Sequence, residues 1–198
     1  MGFASREPQI RPPRLSSKSA QLWREVLTLM DSQRFEQAVA LRDSGRVEEA
    51  LRTFVALRES AANAEEKASL LVNEVRCYRL LGQLAEAKRQ LSRARRIAPQ
   101  THLLLYLDYE EAILHWHEGQ RETSLQILDD LHRNRKEILL MPEHRDLYER
   151  VQSSRGMLLT ELAQYKDAVA LLEECLSFDP RVIDKEGVFR DLGGSFRN

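Results

Sequence analysis

Apolar residues recur along this chain at helical spacing, and the recurrence itself repeats. Leu22, Trp23, Val26, Leu27 and Met30 form one stripe behind Ser16 to Ser19, which can cap a helix ending near Met30. Asp31-Ser32 can cap a second helix over Gln33 to Asp43. From there three turn glycines, Gly45, Gly82 and Gly119, stand 37 residues apart. A fixed set follows them. An apolar residue comes two on (Val47, Leu84), and a small one five on (Ala50, Ala87, Ser124). Large ones come nine on (Phe54, Leu91, Leu128), and Leu57, Ala94 and Leu131 twelve on. A fourth copy has Ala163 in place of glycine, then Tyr165, Ala168, Leu172 and Cys175, after a step of 44. The seven extra residues are assigned to Asn134 to Pro142 and the helix that Pro142 opens. Phe189, Leu192, Gly193 and Phe196 restart the pattern before the sequence stops at Asn198.

A small residue in the second helix of each pair lets two helices approach, and the large residue four positions on fills the gap beside it. One pair cannot bury its apolar face alone, so pairs must stack. The pattern predicts an all-α protein. Its parts are a tail over 1–15, an N-terminal helix over 16–31 and a repeat domain over 32–198. The units are 32–62, 63–99, 100–141 and 142–180, with a half-unit at 184–198.

At these positions the sequence resembles the tetratricopeptide-repeat (TPR) family. The fullest second-helix match is Gly82-Gln83-Leu84-Ala85-Glu86-Ala87 with Leu91, Ala94 and Pro99. Another is Tyr165-Lys166-Asp167-Ala168 with Leu172, Cys175 and Pro180. First-helix matches are Gly156, and Phe189 with Leu192-Gly193 and Phe196. The resemblance covers roughly residues 32 to 198. It implies a right-handed α-solenoid of antiparallel helix pairs, about four repeats plus an N-terminal helix and a C-terminal half-repeat. The chain departs from the family pattern in its longer unit, and in Glu74, Glu111 and Arg155, which stand where Leu is usual.

The resemblance also implies a concave face built from first helices. Position by position it places there Phe35, Val39 and Arg42; Val72, Asn73, Arg76 and Arg79; Tyr106, Tyr109, Ile113, Trp116 and His117; Arg150, Ser153, Met157 and Thr160; and Arg190 and Arg197. Arg76, Arg79, Asn73, Tyr106, Tyr109, Ile113, Trp116, Arg150 and Met157 are the candidate peptide-binding residues. Aromatics and arginine dominate interface energetics, and arginine grips carboxylates with a two-pronged fork. The expected ligand is a protein or peptide with acidic and apolar residues. A carboxylate clamp of the kind one TPR subclass uses is not expected. Asn73 fits it, but Phe35, Val39, Tyr106 and Glu110 occupy the positions that need other polar or basic groups.

Composition narrows the functions. The formal net charge is -1 over 198 residues with both signs interspersed, which argues against nucleic acid. The basic tail, with Arg6, Arg11 and Arg14 among Pro8, Pro12 and Pro13, reads as extended and disordered. No run of about 18 apolar residues exists, so no membrane span is expected. Cys77 and Cys175 have no metal-ligand spacing and read as buried thiols of a reducing, cytoplasmic compartment. His115-Trp116-His117 cannot share a metal, because neighbours two apart on a helix diverge. His115 reads as core, and His102, His132 and His144 as sharing no face with an acid. Acidic pairs such as Glu48-Glu49 and Glu173-Glu174 read as solvated faces. No nucleophile elbow or phosphate loop is present. The reading is an interaction scaffold with no catalytic, cofactor or metal site, able to self-associate through its half-repeat. The alternatives are a regulatory module of a longer protein and an RNA-binding solenoid, the latter disfavoured by charge.

Overall fold

A computed structural model describes residues 31–98 and 102–175. The expected basic tail, the first N-terminal helix, Pro99, Pro180 and the C-terminal half-unit lie outside the described residues. What is described is helical, in consecutive pairs: α1 (31–43) with α2 (Val47–Ser60), α3 (Ala64–Leu80) with α4 (Leu84–Ile97), α5 (Leu103–His117) with α6 (Arg121–Leu139), and α7 (Arg145–Glu161) with α8 (Tyr165–Cys175). Each helix from α2 to α7 packs against the next, and α3 also packs against α5. First helices thus form one layer and second helices the other.

The turn inside each pair has the same chemistry four times. In the second pair the Gly82 amide donates to the Arg79 carbonyl, and the Gln83 amide to the Tyr78 carbonyl. The same two bonds recur at Gly45-Arg46, Gly119-Gln120 and Ala163-Gln164. This arrangement satisfies the last carbonyls of the first helix, and it needs a left-handed residue at its centre. Gly45, Gly82 and Gly119 have φ of 85°, 71° and 79°, and Ala163 takes the same conformation at 60° despite its β-carbon. Arg46, Gln83 and Gln120 then enter the second helices with nearly identical dihedrals, ψ being 56°, 60° and 64°.

The twelve positions expected to hold the pairs together are all buried. Ala50, Ala87, Ser124 and Ala168 are fully inaccessible, as are Phe54, Leu128, Leu172, Ala94 and Cys175, and Leu57, Leu91 and Leu131 nearly so. Gly156 of α7 shows how tight the approach is. A β-carbon there would stand 2.5 Å from Leu172 Cδ2 of α8. The cores run on from one another: Phe35, Phe54 and Leu57 around the first pair, Leu71, Val75 and Leu91 around the second, and Tyr109, Leu128, Leu147 and Leu158 around the last two.

The extra length of the third unit falls where the spacing assigned it. The residues from Asn134 on continue α6 as helix to Leu139, and a 3₁₀ turn over Pro142–His144 leads into α7. Leu139 is fully buried against the last core, which is why the helix extends. Between α2 and α3, Asn63 caps α3 by accepting from the Glu66 amide at 2.9 Å, while Glu66 accepts from the Ala62 amide at 2.8 Å.

Glu74, Glu111 and Arg155, the three departures from the family pattern, share one role. Each forms an ion pair across the junction from one repeat to the next. Arg58 of α2 donates to Glu74 of α3 at 2.5 Å, Arg95 of α4 to Glu111 of α5 at 2.5 Å, and Arg155 of α7 to Asp129 of α6 at 2.7 Å. The first of these is buried at Glu74, whose second oxygen has no hydrogen-bond partner. Burial pushes that carboxyl above its usual range, with Arg58 pulling it back.

Candidate concave binding groove

The inner layer encloses a groove of about 660 Å³. All four first helices, together with the turns preceding α5 and α7, contribute to it. Its apolar surface comes from Phe35, Val39, Val72 and Tyr106. Its polar surface comes from Arg42, Asn73, Arg76 and Arg150, with Glu143, His144 and Asp146 at the α7 end.

The arginines of this groove are held, not loose. Arg42, 7% exposed, donates from Nη1 to Asn73 Oδ1 at 2.7 Å and from Nε to Asp43 Oδ1 at 3.1 Å. Burial, with the charge of Arg76 added to it, lowers the Arg42 pKa. Asn73 in turn donates to the Ser69 carbonyl at 3.1 Å, so its amide is spanned between α1 and α3. Arg76 pairs with buried Glu110 at 2.8 Å, and Arg79 reaches the other oxygen of the same carboxylate at 3.3 Å. Tyr106 donates to Asp146 at 3.5 Å, and Arg150 lies 3.7 Å from the second oxygen of Asp146. Burial and the neighbouring Asp146 push the Tyr106 hydroxyl up to about 12. The groove cations are therefore matched by Asp43, Glu110 and Asp146.

The sequence-derived candidates divide into three groups. Asn73, Arg76, Tyr106 and Arg150 line the groove together. Tyr109, Ile113 and Met157 lie in the core at 1%, 2% and 3% exposure, with the Tyr109 hydroxyl 3.2 Å from Ser154 Oγ. Packing claims them because α5 is flanked by α3, α4, α6 and α7, leaving it a narrower open face than three turns of first-helix positions imply. Arg79 and Trp116 sit at the turn end, where Trp116 donates to Glu161 at 3.1 Å and Arg79 lies 3.4 Å from His117.

Two histidine readings change. His115 is half-buried and bonds through Nδ1 to Gln120 at 2.5 Å, instead of filling the core. His102 and His144 do share a face with acids. Their rings stack at 5.7 Å beside Glu143 and Asp146, and Tyr106 meets His144 edge-on at 6.0 Å. Both immediately precede a first helix, but they stand 17 and 19 residues before the turn residues Gly119 and Ala163, so the repeat register does not align them. Cys77 and Cys175 are buried, and burial pushes their thiols up to about 11 and about 12. Among the described residues no three His, Cys, Asp or Glu side chains are gathered as a metal site, and no helix is long and apolar enough to cross a membrane.

Comparison with known proteins gives the same architecture. The tetratricopeptide repeat model matches residues 150–182. Two solved structures of nearly identical TPR-like repeats, from a Podosopora anserina protein named as a putative kinesin light chain, resemble this chain. The first, a form with a single substitution, has 17% identity, covers 84% of both chains and gives a TM-score of 0.57. The second has 18% identity, covers 84% of this chain and 85% of its own, and also gives 0.57. No curated protein matches the sequence. One tetratricopeptide repeat is thus matched directly, and the paired helices running through the described residues share the fold of the TPR-like repeats in those two structures.

Proposed function

We propose that this protein is a scaffold whose concave groove holds a segment of a partner protein. The observation that carries the reading is the groove itself. Four helices from four repeats converge on about 660 Å³ with apolar and hydrogen-bonding surface side by side, which is the anatomy of a recognition site. Phe35, Val39 and Tyr106 are half-buried and supply anchor surface. Asn73, Arg42 and Arg76 are fixed by their own bonds, so little side-chain entropy is lost when a ligand binds.

The matched charges shape the ligand chemistry. An acidic residue in the groove would compete with Asp43, Glu110 and Asp146 for cations already paired. Apolar side chains and peptide groups gain more there, with acidic residues contributing second. Selection of a displayed random peptide library on the protein tests this. Enriched peptides should bind the wild type and lose at least tenfold affinity to Val39→Glu/Tyr106→Ala, whose circular dichroism should be unchanged. Peptides that bind the variant equally well would overturn the reading.

A further inference from the structure

Positive charge on the outer layer is concentrated on one helix. Within Leu84–Ile97, α4 carries Lys88, Arg89, Arg93, Arg95 and Arg96 against the single acid Glu86, a formal charge of +4. The other second helices carry -1 (α2), 0 (α6) and -2 (α8) over their own bounds. Arg95 turns toward α5 and is taken by Asp108 and Glu111 at 2.7 and 2.5 Å. Lys88 reaches Glu118 at 2.6 Å, and Arg89 is held by Glu86 one turn before it. Arg93 and Arg96 are exposed and have no ion pair among the described residues, although Arg93 does contribute to the field at Glu74. Arg89, Arg93 and Arg96 fall at i, i+4 and i+7, with Ser92 beside them, so they share one outward face. Cations in the last turn complement a helix's own dipole, which accounts for Arg95 and Arg96. It does not account for Arg93 and Arg89, one and two turns earlier.

We infer that the outer face of α4, around Arg89, Arg93 and Arg96, docks a short acidic segment of a partner protein, independently of the concave groove. Arginine forks bind carboxylates two bonds at a time. From Lys88 to Arg96 the face is about 12 Å long at about 1.5 Å per residue. That matches about four residues of extended peptide at about 3.3 Å each. Other anionic surfaces fit less well. The exposed residues of this face are Ala85, Lys88, Arg89, Ser92, Arg93 and Arg96, with no aromatic for a base to stack on and no large apolar side chain to enter a lipid surface. The positive field also ends at this helix, because its neighbours α3 and α5 carry 0 and -3, whereas a nucleic acid's phosphates continue.

Fluorescein-labelled octaglutamate, followed by anisotropy, is the probe, with a labelled twelve-nucleotide oligothymidylate as the competing polyanion. Octaglutamate should bind the wild type, weaken as salt rises from about 0.05 to about 0.3 M, and lose at least tenfold affinity in Arg89→Glu/Arg93→Glu/Arg96→Glu. The groove variant Val39→Glu/Tyr106→Ala should bind it as the wild type does, which separates this surface from the groove. Should the triple variant lose helicity, glutamine at the same three positions carries the test, with at least a fivefold loss expected. Absence of octaglutamate binding, binding that survives these substitutions, or tighter binding of the oligonucleotide through the same arginines overturns the inference.

Discussion

Ala163 is where a single residue bears the cost of the repeat. Its φ of 60° matches the three turn glycines, and it makes the same two carbonyl closures around it. An L-residue with a β-carbon in that region is strained by about 1–2 kcal/mol. Glycine would remove the strain but loses about 0.4–1 kcal/mol through a freer unfolded chain. Ala163 is exposed, so no packing is forfeited. Ala163→Gly should therefore raise the unfolding free energy by about 0.5–1 kcal/mol in urea titration; a loss of that size would mean that the turn is not held left-handed. The residue was legible in advance, since the repeat register put Ala163 where glycine belongs. The chemistry of the groove arginines was not. Sequence spacing shows that Arg42, Arg76 and Arg150 face inward. It does not show that Asn73 and Glu110 arrive from other helices to bind the first two; only the Asp146–Arg150 pair, at i and i+4 on one helix, has a spacing that the sequence displays.

The helix pair is the element that the pattern reads most surely. Apolar residues nine and twelve after each turn are buried in all four copies because nothing else can fill the gap beside Ala50, Ala87, Ser124 and Ala168. Junctions between pairs were harder, since an ion pair has no periodic signature. At the first junction burial opposes the Glu74 charge and Arg58 offsets it. Arg58→Met should destabilise by about 3 kcal/mol at pH 7, because it leaves a buried carboxylate with no cation. Arg58→Met/Glu74→Leu should recover that loss or exceed the wild type. The pH dependence has a definite sign. A folded-state pKa raised above the unfolded one favours the fold at low pH and loses that favour as pH rises. Removing Arg58 raises it further, so the deficit of the single variant should shrink as pH falls from 7 toward the ordinary carboxylate range. A deficit that stays constant with pH would place the loss in packing, not in charge.

At the scale of the whole molecule, the stacked repeats give two layers with different surfaces. The inner layer gathers one groove from four helices, and its charges are matched. The outer layer leaves α4 positively charged between helices of neutral or negative sign. The sequence held the repeat, its length and most groove-lining positions. It overstated how many α5 and α7 residues stay accessible, since Tyr109, Ile113 and Met157 are claimed by packing between layers. The direct measurement of the central claim is amide hydrogen exchange on the protein with and without a library-selected peptide. Protection should appear on α3 around Val72 to Arg76, at the start of α5 around Tyr106, and at the start of α7 around His144 to Arg150. Protection confined to α2, α4, α6 or α8 would contradict a concave binding face.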